Sequence, residues 1–269
     1  NSTIFIQSFG LTLKRAGFVM KDKQFLIVGH LLLAPILIIC WELGANLGWI
    51  NPVFYGQPSG ILKFLIKHTN SGALWTDLGW TLAGTFLAFI IGSTAALITG
   101  LIFVQFPRVE KLAEPYFNAL NVMPRLALAP LFILWFGLGL TSKVAVGLSL
   151  SFFIVLSSTV AGMRGVSQDH LTLCKTLGAK PTTIFFKVTL PGAIPIIFSG
   201  LRLGLIYSLL GVVGTEIVAS EHGIGQTITS LATSFNANGV MALVFVLAFL
   251  GVVIVRLMTS IEMYLSRWK

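Results

Sequence analysis

The chain has 269 residues, of which 55% are hydrophobic and only 10% charged, with a formal net charge of +9. Its mean hydropathy of +0.91 excludes an ordinary soluble domain and points to several membrane spans. The positive balance does not indicate nucleic acid, because no basic stripe with interleaved aromatics occurs, and two cysteines, Cys40 and Cys174, without metal-like spacing exclude a disulfide framework.

In chain order, residues 1–24 mix Ile4, Phe5, Phe9, Leu13 and Phe18 with Lys14, Arg15, Lys21 and Lys23. This pattern predicts an interfacial helix on the cytoplasmic face, and no cleavable signal peptide is expected because the short apolar core and small-residue cleavage site are missing. Residues 25–269 then form a transmembrane domain. Phe25 to Leu47 is the first predicted span, with Trp41 and Glu42 near its far end, where Glu42 reads as an interfacial residue. Trp49 to Thr76 is a polar exterior segment containing Pro and Gly, and Leu78 to Val104 is the second span. Gly92, Ala96 and Gly100 recur there every fourth residue, a face that lets another helix come close.

Phe106 to Asn121 reads as a charged connection. Leu126 to Leu138 is apolar but short, and with Pro124 and Pro130 it predicts a kinked span that begins further back. Ser142 to Met163 is the fourth span and Pro191 to Ala219 the fifth, with Gly200, Gly204 and Ser208 as a second close-packing stripe. Ser220 to Gly239 is an exterior loop without Lys or Arg, and Val240 to Met263 is the last span. The fold class is therefore all-α and polytopic, with about six transmembrane helices. With both termini inside, Lys and Arg fall overwhelmingly on the cytoplasmic side, and only Lys63, Lys67 and Lys143 lie outside.

One polar interruption, residues 164–191, reads GVSQDHLTLCKTLGAKPTTIFFKVTLP from Gly165 onward. It is too basic to sit in lipid, and it predicts two short helices projecting into the cytoplasm. Ser167 is placed to cap the first, with Asp169 in its first turn; Gly178 suits the left-handed residue that ends it; Pro181 suits the first position of the second. The stretch resembles the cytoplasmic "EAA" loop of permease subunits of ATP-binding-cassette (type I) importers. Gly178 matches that loop's glycine and Leu190-Pro191 its end, while Thr172, Leu173 and Cys174 replace the Glu-Ala-Ala triplet. The resemblance extends outside the loop. Gln57-Pro58-Ser59-Gly60-Ile61-Leu62 is similar to a Pro-Ser-x-x-Leu stretch of sulfonate and taurine permeases, and MPRLALAPLFILWFGLG to the family's Pro-rich gating region.

The resemblance implies a bacterial inner-membrane permease forming the pathway for a small, anionic solute such as a sulfonate, taurine, nitrate or bicarbonate. It also implies a second copy of the chain, two ATP-binding ATPase subunits below, and an extracytoplasmic solute-binding protein above. The ATPase-coupling residues it singles out are Gln168, Asp169, Thr172, Leu173, Cys174, Leu177, Gly178, Ala179, Lys180 and Pro181.

The chain has no G-x-x-x-x-G-K-[ST] stretch, so it is not expected to hydrolyse ATP itself. ATP and Mg belong to the partner, and no cofactor is expected in this chain. His30, His68, His170 and His222 lack ligand spacing, and no G-x-S-x-G supports a catalytic triad. A charge inside a span costs roughly 2.5–3.5 kcal/mol unless paired or facing water, which makes Arg125, Arg202 and Glu216 pathway or gate candidates, and the resemblance to the Pro-rich gating region adds Pro130. Arg202 and Glu216 lie about 14 residues or roughly 21 Å apart along one helix, too far to pair there. Arg125 either ends a cytoplasmic segment or is turned into the pathway by Pro124. The competing reading, a self-sufficient channel or ion-coupled carrier, leaves the Gly178 loop unexplained, and a membrane-embedded enzyme lacks a catalytic constellation. The chain itself does not name its solute.

Overall fold

A computed structural model of the chain describes residues 35–265 together with Gly29, Leu32 and Leu33. The interfacial segment read over 1–24, and the beginning of the first span, lie outside the described residues. The rest of that span is helix α1 (Pro35–Asn46).

Among the described residues, four helices are long and apolar enough to cross a membrane: α4 (Ala73–Gln105), α7 (Leu140–Arg164), α10 (Leu190–Val218) and α12 (Ala237–Leu265). A fifth crossing is broken. Helix α5 (Pro107–Val122) and a short 3-10 turn, Arg125–Leu128, leading into α6 (Ala129–Phe136), meet at 80°. The break falls at Met123–Pro124, because a residue before proline is driven out of the helical region; Met123 is extended, at φ −63°, ψ 132°. Pro130, expected as a second kink, sits in the first turn of α6, where a missing N–H costs nothing. Residues 106–121, read as a connection, are the first arm of this broken span. Its apolar residues Val109, Ala113, Tyr116, Phe117 and Leu120 follow helical spacing.

The stretch read as a polar exterior segment is also helical, as α2 (Pro52–Tyr55) and α3 (Pro58–Asn70). Glu42 is more than interfacial: its Oε2 accepts the Ser59 N–H at 3.0 Å and its Oε1 the Gln57 side chain at 2.7 Å. An acceptor at the start of α3 satisfies a donor that the helix itself leaves open.

Helix α7 occupies the centre, packed against α4 and α10. Both small-residue stripes face it. A Cβ on Gly92 would lie 2.3 Å from Ser151 Oγ, one on Gly200 would lie 2.2 Å from Ser158 Cβ, and one on Gly204 would lie 2.7 Å from Val155. Such approaches place backbone against backbone, where dispersion substitutes for the hydrophobic effect that lipid does not provide. Ala96, Phe103, Val155 and Leu156 fill the space between α4 and α7, and Leu205, Leu209 and Ile254 join α10 to α12.

The loop expected at residues 220–239 contains a helix, α11 (Ile224–Thr233). Ile224, Ile228 and Leu231 pack it onto Leu74 of α4 and Leu243 of α12. Their spacing was a legible helical signal.

Candidate functional site

The polar interruption forms helix α8 (Gln168–Thr176), followed by a turn and α9 (Pro181–Ile184). Ser167 takes the cap position, but its side chain makes no capping bond; Asp169 stands in the first turn, favourable to the helix dipole. The end of α8 is closed by two reversed bonds, Gly178 N–H to Lys175 O and Ala179 N–H to Cys174 O, each 3.0 Å. Gly178 carries φ +76°, the left-handed conformation this motif requires. Lys180 is extended before Pro181, which opens α9.

The second short helix is not separate from the fifth span. Residues 185–189 form a π-helical turn that joins α9 to α10, giving one apolar helix from Pro181 to Val218. Pro191 has no N–H to give, and the Leu190 N–H reaches Phe185 O, five residues back. At 38 residues, roughly 57 Å long, this rod exceeds the about 30 Å hydrocarbon core and carries its first turns out of the membrane.

Helix α8 is thereby held as an outrigger. Leu173 is 58% exposed and Leu177 77%, one turn apart, while Gln168, Thr172 and Lys180 are also exposed and Cys174 and Ala179 half-buried. Thr172 turns its hydroxyl back to Gln168 O at 2.8 Å. Behind the outrigger lies a cavity of about 460 Å³ lined by Leu171, Lys175, Pro181, Phe185 and the end of α4 at Gln105. An ion pair from Arg164 to Glu110 ties the base of the loop to α5.

At the opposite end of α7 and α10, Glu216 is 1% exposed and Lys143 2%. Lys143 Nζ lies 3.1 Å from Glu216 Oε1 and also donates to His222 O. Glu216 Oε2 accepts from Thr81 Oγ1 at 2.9 Å and from the Gly225 N–H at 3.0 Å. The carboxylate thus caps α11 while holding α4, α7 and α10 together. Gly223 has no alternative here: a Cβ at its φ of +119° would lie 2.0 Å from Glu216 Oε1.

Sequence reading counted Lys143 only as an exterior charge and left Glu216 unpaired. Arg202 finds Glu262 of α12 as its ion-pair partner, so the candidates Arg202 and Glu216 belong to two separate pairs. Arg125 stays at the break in the fifth span, where Nη2 donates to Leu120 O at 3.1 Å and Asn121 Oδ1 at 3.2 Å. Its guanidinium carbon stands 4.3 Å from the centre of the Phe153 ring. No group of three potential metal ligands occurs among the described residues.

Residues 81–268 match the model of a family described as the binding-protein-dependent transport system inner membrane component. Among curated relatives, the chain is 30% identical over 247 residues to the putative aliphatic sulfonates transport permease protein SsuC of Bacillus subtilis, covering 92% of this chain and 90% of that one. It is 28% identical to the formylaminopyrimidine transport permease protein ThiX of Halalkalibacterium halodurans, covering 87% and 93% of the two chains. It is also 28% identical to the taurine transport system permease protein TauC of Escherichia coli, covering 88% and 87%. Among solved structures, an amino acid ABC transporter with histidines aligns at TM-score 0.61 and 19% identity, over 77% of this chain and 98% of that one. An inward-facing MetNI methionine ABC transporter aligns at TM-score 0.58 and 18% identity, over 75% and 96%. At those identities the structures establish the shared fold.

Proposed function

The chain belongs to the family of binding-protein-dependent transport system inner membrane components and is a permease subunit of an ABC importer, and from that premise we propose how it works. It lines a pathway for a small anionic solute delivered from outside by a solute-binding protein, and it pairs with a second copy of itself. Two ATPase subunits, carrying the ATP and Mg, grip the loop at 164–191 from the cytoplasm, where both termini also lie.

The observation that carries this reading is the outrigger. A helix with two exposed leucines, closed by a left-handed glycine, is fused through Pro181 to a rod longer than a membrane's hydrocarbon core is thick. Leu173, Leu177 and the half-buried Cys174 offer the apolar knob that a cleft in an ATPase would hold, with Gln168, Asp169, Thr172 and Lys180 at its rim. Gly178, Ala179 and Pro181 fix its angle to the rod. Closure of the ATPase pair then moves α10 as a lever. Near the far end of that lever Glu216 holds α11, so the motion reaches that end, while Arg202, midway along the lever, ties it to the C-terminal end of α12. The Pro124 break, with Pro130 and Arg125 beside it, gives the pathway wall a bendable point.

Gly178 tests the coupling. A Cβ there would meet nothing within 4 Å, so a substitution strains the backbone without a clash. A left-handed residue with a side chain costs about 1–2 kcal/mol, less for Asp than for a β-branched residue. With both variants reconstituted beside the ATPase, Gly178→Asp is expected to reduce the ATP hydrolysis that the loaded solute-binding protein stimulates, and Gly178→Val to reduce it further. Unchanged stimulation in both removes the coupling role.

A further inference from the structure

Asp77, in the second turn of α4, reaches the start of α11. Its Oδ2 accepts the Thr227 hydroxyl at 2.7 Å and its Oδ1 the Gly223 N–H at 3.4 Å. His68, near the end of α3, approaches the same carboxylate, with Nε2 3.9 Å from Oδ2. That separation is too long for a hydrogen bond, and Nε2 is buried without a partner. Phe64 stacks on the imidazole, ring centres 5.2 Å apart, and packs in turn against Leu74, Ile224 and Leu243. The ring is therefore held from one face while the nitrogen nearest the carboxylate stays unmet.

An unmet buried nitrogen costs free energy, and histidine can change what that nitrogen offers. In the neutral ring only one nitrogen carries a proton; in the imidazolium both do, and the charge attracts a carboxylate. Nδ1 is not a buried unsatisfied atom and the side chain is 18% exposed, so a proton reaches the ring from water. Oδ2 has room for another donor, since a carboxylate oxygen accepts more than one. A shift of about 1 Å would turn the gap into a charge-assisted hydrogen bond while the Thr227 bond is kept.

The other charges around His68 leave Asp77 as its counter-ion. Asp77 is the one ionisable side chain of α4; α11 has none, and α12 has none before Arg256. Helix α3 itself carries Lys63 and Lys67, both exposed, and Glu42 sits at its opposite end, bound to Ser59 and Gln57. Glu216 also holds α11, but it is paired with Lys143 and reached through Thr81. In the loop ahead of α11, Glu221 is exposed and the His222 ring stacks on Trp80.

We propose that His68 is a proton-operated latch on α11. When the imidazole is charged it closes on Asp77 and draws α3, α4 and the start of α11 together; when it is neutral they loosen. The latch depends on these contacts and not on the importer reading. On that reading this end faces the medium from which the solute comes, so an acidic exterior holds α11 and a neutral one frees it. The direction is diagnostic, because protonating Asp77 or Glu216 would instead remove an acceptor from the start of α11 and loosen it in acid.

The test is hydrogen exchange of the amides at the start of α11, measured on the full chain in detergent at about pH 5.5 and about pH 8 and corrected for the intrinsic exchange rate. Protection is expected to be about threefold or more higher at the acidic pH, as a gained charge-assisted hydrogen bond implies. His68→Gln, which keeps a donor but cannot be charged, should make protection independent of pH, and Asp77→Asn should do the same. His222→Gln should leave the pH dependence in place. Protection that is flat, or that rises with pH, in the unaltered chain overturns the proposal without need of any variant. Persistence of the dependence in His68→Gln or Asp77→Asn, or its loss in His222→Gln, overturns it as well.

Discussion

At the scale of single residues, the end of the bundle opposite the polar loop hangs on a buried ion pair. Lys143 and Glu216 are withdrawn from water, and Glu216 also accepts from Thr81 and from the backbone of Gly225. Removing one partner of such a pair leaves a bare buried charge, a loss of about 3–5 kcal/mol, whereas removing both charges is far milder. Glu216→Gln keeps an acceptor for Gly225 but leaves the Lys143 ammonium buried without its counter-charge, beside only the His222 carbonyl and a neutral amide, and it should lower the thermal transition of the detergent-solubilised protein sharply. Lys143→Met should cost less, because Thr81 and the start of α11 still satisfy the carboxylate. The double variant should recover most of the loss from Glu216→Gln, and additive losses in the double-mutant cycle would show that the pair is not coupled. Neither the pair nor the Arg202–Glu262 bridge could be read from the sequence. Their members stand 73 and 60 residues apart, and nothing local to either residue encodes the other.

At the scale of elements, legibility followed the range of the interactions. Gly178 and Pro181 announced the outrigger because turn chemistry is settled within a few residues, and the left-handed glycine and the proline-led helix stand where that chemistry puts them. Pro124 announced the broken span for the same reason. The fusion of α9 with α10 was hidden, since Pro191 reads as a helix start while the chain absorbs it with a π-turn. Helices α5 and α11 read as connections because their polar residues break up the apolar run, although the apolar spacing within each is helical.

The stripes of small residues were legible, and their target is α7. A Cβ on Gly147 of that helix would lie 2.9 Å from Ala88 Cβ and 3.0 Å from Ser208 O, pressed from α4 and α10 at once. Gly147→Leu should therefore lower the thermal transition by at least the equivalent of about 1–3 kcal/mol, the usual cost of overpacking, and reduce the yield of folded protein. Gly251→Ala in α12 has open space and should be neutral or slightly stabilising. Equal tolerance at both positions would mean that α7 is not the closely packed centre.

At the scale of the whole molecule, the parts form a lever with an anchor at each end. The rod from Pro181 to Val218 spans the membrane and more. Its Pro181 end carries the exposed leucines of α8, and its Val218 end the carboxylate that holds α11. A self-sufficient channel or carrier has no use for the exposed leucines, and an importer that draws on ATP hydrolysis in another subunit does. Measuring uptake of the solute-binding protein's own ligand into liposomes separates the two, with this chain reconstituted either alone or beside its ATPase and supplied with ATP. The account predicts uptake only when the chain, the ATPase, the loaded solute-binding protein and ATP are all present. Sustained uptake by this chain alone, driven by an ion gradient, would contradict it.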